Sequence, residues 1–138
     1  MAMFDETDLR ARYPNAQWCD FGDSAELSDR LLGLIRTGKK TATCGALRDY
    51  EADGDPVPRP GDILIARDAN GAPALVYEIT ECTVRPFNEV PEDFALAEGE
   101  GSFDDWRRAH IDFFTRTGGF APDMRVVCER FRLLEVVR

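Results

Sequence analysis

An Asn-Gly pair, Asn70-Gly71, stands between two runs rich in β-branched and apolar residues, "DILIARD" and "APALVYEITECTVRPF". Asn-Gly tolerates the positive φ angles of a tight turn, so the two runs are read as neighbouring antiparallel strands. Around this hairpin the pattern changes period. Leu27, Leu31, Leu34 and Ile35 recur at helical spacing behind Asp23 and Ser24, and Gly38 suits the left-handed residue beyond a helix end, which predicts a helix over 24–37. A shorter helix is expected around Asp5 to Arg12, stopped by Pro14. "PEDFALAE" reads as a short helix with Pro91 in its first turn. "SFDDWRRAHIDFFTRTGG" reads as a longer one capped by Ser102 with Asp105 three residues on, carrying Phe103, Trp106, His110, Phe113 and Phe114 on one side. "KTATCGAL" and "RVVCERFRLLEVV" are β-branched and complete the strands, and "DYEADGDPVPRPGD" reads as a polar loop. Strands interrupted by helices without regular βαβ alternation predict an α+β fold with a mainly antiparallel, strongly bent sheet or small barrel and peripheral helices.

At 138 residues and 43% apolar, the chain has the size of one globular domain, expected over 1–138 with 1–17 as an N-terminal extension. The start "MAMFDETDLR" has neither the basic opening nor the apolar stretch of a signal peptide, and no run of about eighteen apolar residues occurs, so a soluble, cytoplasmic protein is expected. Cys19, Cys44, Cys82 and Cys128 lie far apart and only one histidine is present, a pattern that suggests neither a zinc site nor a disulfide framework; no metal or other cofactor is expected. A net charge of −9 argues against wrapping a long nucleic acid backbone, which needs many cations on one face. It leaves room for one small positive spot. Lys39 and Lys40 are the only lysines, and with Arg36 they are the first candidates.

They fall in "RTGKKTATC". The ordinary reading is a helix end whose lysines complement the macrodipole, followed by threonines suited to a strand. The functional reading is a desolvated lysine beside a hydroxyl that it deprotonates, making a threonine nucleophile. In an ideal strand Thr41 and Thr43 share a face whereas Lys40 and Thr43 do not, so pairing Lys40 with Thr43 requires Lys40 to sit in a turn before the strand, redirected by Gly38. "AEGEGSFDDW" places Glu98 and Glu100 between glycines ahead of a helix: either a flexible acidic loop, or a segment whose glycines permit close approach of a carboxylate to the lysine. His110, among aromatic helical neighbours, reads as a packed structural residue more readily than a base. Trp106 reads as core or as a platform for a nucleobase. Cys44 is a weaker nucleophile candidate than Thr43, having no histidine near it in sequence.

"FGDS" with the leucine-rich helix, "GKKTAT", "PGD", "PFNEVPEDFALAEGEGSFDDWRRAH" with "FF", and "VVCERF" occur in an order that resembles the ASCH domain family from about Trp18 to Val137. The resemblance implies a small β-barrel related to the PUA fold, with a cleft between barrel and helices. It also implies a nucleoside-like ligand or short single-stranded RNA, because members resembling this chain act on acetylated cytidine nucleosides as amide hydrolases or on RNA as ribonucleases. The hydrolases use a lysine, a threonine three residues later and a glutamate. Lys40 and Thr43 match the first two, and Glu100 is the first assignment for the third, with Glu98 second. On this reading Thr43 attacks, Lys40 moves the proton and Glu100 orients Lys40, while Arg36, Lys39, Thr41, Glu98 and Trp106 contact substrate. The alternative is an RNA-binding module or metal-independent ribonuclease using the same cleft, with Arg36, Lys39 and Lys40 on phosphate and Trp106 or Phe87 near a base.

Overall fold

The computed structural model describes residues 6–137. The "MAMFD" start, including Asp5 of the expected first helix, and Arg138 lie outside the described residues. Five strands form one curled, half-barrel sheet in the order β1 (Gln17–Asp20), β3 (Ile63–Arg67), β4 (Pro73–Pro86), β5 (Arg125–Val136), β2 (Ala42–Ala46). All neighbours pair antiparallel except β1 with β3. The Asn70-Gly71 hairpin forms as its sequence requires, with Gly71 at φ +84° and the Asp68 carboxylate accepting from the amides of Asn70 and Ala72. β4 pairs with β3 along one edge and β5 along the other. Register shifts between Val76 and Tyr77 and between Ile79 and Glu81 break its ladder with β5, and such bulges add the twist that curls a sheet.

The helices bury the faces that their periodicity marks. α2 (Ala25–Arg36) is capped by Ser24 and seats Leu31, Leu32 and Ile35 on Leu75, Tyr77, Ile79 and Phe131 of the sheet. α4 (Glu92–Ala97) and α5 (Phe103–Arg116) cover a second core around Phe87, Trp106, Phe114 and Val126, and α5 carries the expected Ser102 and Asp105 capping box. α1 (Glu6–Arg12) places Leu9 against Ile65 and Val76.

Besides a 3₁₀ turn at Phe87–Glu89, two elements were not expected. β1 is four residues long, too short to show an alternation, and is recruited by the edge of β3. α3 (Leu47–Asp53) takes residues assigned above to the end of a strand and the start of a polar loop. Its composition is that of a helix, Gly54 closes it at φ +72°, and Tyr50 ties it to β5 through Glu129. Among the described residues no helix is long and apolar enough to cross a membrane.

Candidate active site

The turn after α2 brings Lys40 inward before the sheet begins. Gly38 adopts φ +80°, and the Leu34 carbonyl accepts from both the Lys39 and Lys40 amides at 3.0 Å. β2 starts only at Ala42, so Lys40 lies in the turn, which meets the geometric condition for pairing with Thr43. The "EGEG" segment docks on this turn. The Thr41 amide donates to the Ala97 carbonyl at 2.8 Å, and Gly99, at φ +76°, approaches so closely that a Cβ there would stand 2.5 Å from the Lys39 carbonyl oxygen. Glycine is what lets the two backbones touch.

The result is a buried ion pair. Lys40 Nζ donates to Glu98 Oε1 at 3.0 Å, and the two residues are 2% and 1% exposed. Glu98 Oε2 accepts from Trp106 Nε1 at 2.7 Å and lies 3.5 Å from His110 Nε2, whose Nδ1 meets the Trp106 carbonyl. Burial pushes the Glu98 carboxyl up, but Lys40, His110 and the Trp106 hydrogen bond outweigh it and hold the group at about 2. Burial likewise opposes charge on His110, yet the neighbouring Glu98 carboxylate raises its pKa above the ordinary value.

Beside this pair opens a cavity of about 460 Å³, within the range of small-molecule sites. Lys40, Thr43, Glu98 and Glu100 all line it, together with His110, Tyr50, Glu129, Arg30 and Arg116. Phe21, Leu31, Tyr77 and Phe113 supply apolar wall.

Several residues sit elsewhere than expected. The carboxylate on Lys40 belongs to Glu98; Glu100 instead faces Arg30 at 3.4 Å. The reason is the glycine placement: Gly99 packs on the turn, so the residue just before it reaches Lys40 and the one after meets Arg30. Trp106 is fully buried behind Glu98, stacked on Phe87 at 5.2 Å, and does not line the cavity. Thr41, Lys39 and Arg36 do not line it either: Thr41 and Lys39 are exposed and Arg36 is half-buried at the end of α2. His110 is packed as expected, but packed onto the site.

The fold also gathers Cys44, Glu98 and His110, with potential ligand atoms within 4.8 Å of one another, a grouping that sequence spacing gave no hint of. A cation there would compete with Lys40 and Trp106 for Glu98. Burial, reinforced by Glu98, pushes the Cys44 thiol well up, which disfavours the thiolate and with it a nucleophilic role.

The ASCH domain family model matches residues 17–135. An Enterococcus faecalis protein of solved structure is 31% identical, with TM-score 0.82 over 95% of this chain and 86% of that one. The ASCH domain from Lactobacillus crispatus is 30% identical, with TM-score 0.78 over 91% of this chain and 84% of that one. An ASCH protein from Zymomonas mobilis, 11% identical with TM-score 0.54 over 80% of this chain and 68% of that one, shares the fold. No curated protein matches the chain.

Proposed function

The chain belongs to the ASCH domain family, and we propose that it is a hydrolase of a small amide of the acetylated-nucleoside type, using Thr43, Lys40 and Glu98. One observation carries this reading: a lysine buried in a 3.0 Å pair with Glu98 borders the same cavity as a strand threonine. A lysine placed there only for stability would leave the hydroxyl unexplained, and a buried ion pair is in itself weak evidence for stability.

In the proposed reaction Lys40 and Glu98 act as one pair, Lys40 Nζ passing a proton to Glu98 as it takes another and recovering it as it gives one up. The Thr43 hydroxyl oxygen bonds to the amide carbonyl carbon and its proton passes to Lys40 Nζ. The C–N bond then breaks as Lys40 returns that proton to the leaving nitrogen, leaving an acyl ester on Thr43. Water, deprotonated by Lys40, attacks the ester; the carboxylic acid departs and Thr43 regains its proton. Glu98 orients Nζ throughout, and Trp106 and His110 position Glu98.

The test is release of acetate from N-acetylated cytidine, offered as nucleoside and as 5′-phosphate. Wild type should turn over the nucleoside, and Thr43→Val, which keeps the side-chain shape, should lose about 10²- to 10⁴-fold. Undiminished turnover in folded Thr43→Val and Lys40→Met rejects the assignment. Salt-dependent binding of a short single-stranded RNA with no amide turnover would favour the RNA module instead.

A further inference from the structure

Glu129 is the buried acid that the proposed reaction does not use. It sits in the middle of β5, 4% exposed, and lines the cavity. Tyr50 of α3 donates its hydroxyl to Glu129 Oε2 at 2.6 Å, which fixes the plane of the carboxyl group. The other oxygen, Oε1, is buried and meets no hydrogen-bond partner among the described residues. A carboxyl oxygen left so is costly to a fold, and one clamped in place beside a ligand-sized cavity has the form of a reserved acceptor.

The strand register says what it stands next to. Thr43 of β2 is directly opposite Glu129 of β5 in the antiparallel ladder. Directly opposed residues project to the same face with Cβ atoms about 5 Å apart. Both residues line the cavity, so a group hydrogen-bonded to Glu129 is held on the strand face that carries the Thr43 hydroxyl. In a secondary amide the N–H and the carbonyl carbon are separated by one bond.

We infer that Glu129, positioned by Tyr50, accepts a hydrogen bond from the N–H of the substrate's scissile amide, and so sets the carbonyl carbon before Thr43 and selects secondary amides over those lacking the N–H. This rests on the amide-hydrolase reading above and adds to it a specificity residue. Burial pushes the Glu129 carboxyl up, against the lowering by Tyr50, so the acceptor form is fully populated only toward higher pH and N–H recognition strengthens in that direction. Glu98 adds to the rise and Lys40 opposes it, and Cys19, Tyr77, Cys82 and Cys128 are the further titratable groups that interact electrostatically with Glu129.

The experiment measures binding and turnover of N-acetylcytidine and its N-methyl analogue, which lacks the N–H, by wild type, Glu129→Gln and Tyr50→Phe. Each variant is first checked for a cooperative melt. Binding is read by NMR titration, which needs no turnover. Wild type should prefer the N–H compound by about 10- to 100-fold, the range of a hydrogen bond to a charged group. Glu129→Gln can turn an amide NH₂ toward the ligand and should reduce that preference to about unity. Because the methyl group's bulk is common to both proteins, the change in preference isolates the hydrogen bond. Tyr50→Phe keeps the carboxylate but frees it, and should weaken the preference and shift its pH dependence. N–H-selective binding that Glu129→Gln abolishes, without acetate release by wild type, upholds Glu129 while rejecting the hydrolase. Acetate release with equal N–H preference in wild type and Glu129→Gln upholds the hydrolase and overturns the role of Glu129. Absence of binding of either compound to wild type overturns it as well.

Discussion

Breaking the Lys40–Glu98 pair from one side should destabilise the protein far more than removing it whole. At 3.0 Å and an effective dielectric constant of about 20, the attraction is about 5 kcal/mol. Taking both charges out of water costs several kcal/mol per ion, so the pair roughly breaks even against an apolar replacement. A single substitution removes the attraction and leaves the other charge buried. Lys40→Met leaves Glu98 with its Trp106 and His110 partners, which places its loss near the lower end of the usual range, about 3 kcal/mol. Glu98→Gln is worse. The new NH₂ must face either the Lys40 ammonium or the Trp106 N–H, donor against donor, so about 5 kcal/mol is expected. The double variant retains one carbonyl for Trp106 and no charge to strand, and should lose only about 2 kcal/mol.

For 138 residues the unfolding entropy near 60 °C is about 0.3 kcal/mol/K, so these losses correspond to drops in Tm of about 10, 17 and 7 °C. Urea unfolding of the four proteins gives the coupling energy directly. A double variant as unstable as the sum of the singles, or singles within about 1 kcal/mol of wild type, would refute the view that the two charges are buried and mutually dependent.

The same cluster predicts a pH profile and a backbone effect. The Glu98 carboxyl is depressed from 4.5 to about 2, so its contribution, about 3 kcal/mol, is present above pH 4.5 and lost as pH falls toward 2. The His110 pKa is raised, so its contribution is complete below about pH 6.5 and lost as pH rises through the folded value. Chemical denaturation from pH 2 to 9 should show both limbs, and His110→Gln should flatten the alkaline one while leaving an acid limb; an unchanged alkaline slope in that variant would dissociate His110 from it. Gly99→Ala puts a methyl 2.5 Å from the Lys39 carbonyl oxygen in a left-handed residue, and should cost about 2–4 kcal/mol and any activity, whereas Gly38→Ala, with open space around it, should cost less. Equal melting temperatures for the two alanine variants would remove the close approach as the reason for glycine at 99.

The sequence was legible where the signal is local. Ser24, Gly38, the Asn70-Gly71 turn and the Ser102–Asp105 box each act within a few residues, and each forms as read. Lys40 in a turn before the strand was also legible, because Gly38 and the strand period together left no other way to bring it toward Thr43. What was hidden depends on distance in sequence. Glu98 and Glu100 are chemically alike two residues apart, and only the contact of Gly99 with Lys39, sixty residues back, decides which one meets the lysine. His110 carried a faint sign, being one helical turn from Trp106 on the same face. Glu129 carried a stronger one: a carboxylate inside the apolar run of "VVCERF" has to find a purpose or a partner, and its partner Tyr50 lay in a segment read as loop.

Charge distribution then narrows the kind of ligand. The cavity is lined by seven carboxylates and three Lys or Arg side chains, and Lys40 is already engaged by Glu98, Arg30 by Glu100 and Arg116 by Asp23. A phosphate entering this space would meet acids on most sides while every lining cation has an anion of its own. In a confined site such repulsion is weakly screened, so it outweighs the general attraction of a lysine for a phosphate. A neutral ligand rich in N–H donors meets the opposite conditions: carboxyl acceptors, aromatic wall, and a lysine that needs no counter-charge from the substrate. On the proposed reading the nucleoside should therefore be turned over in preference to its 5′-phosphate, and comparing the two arms of the acetate-release assay reads that difference directly.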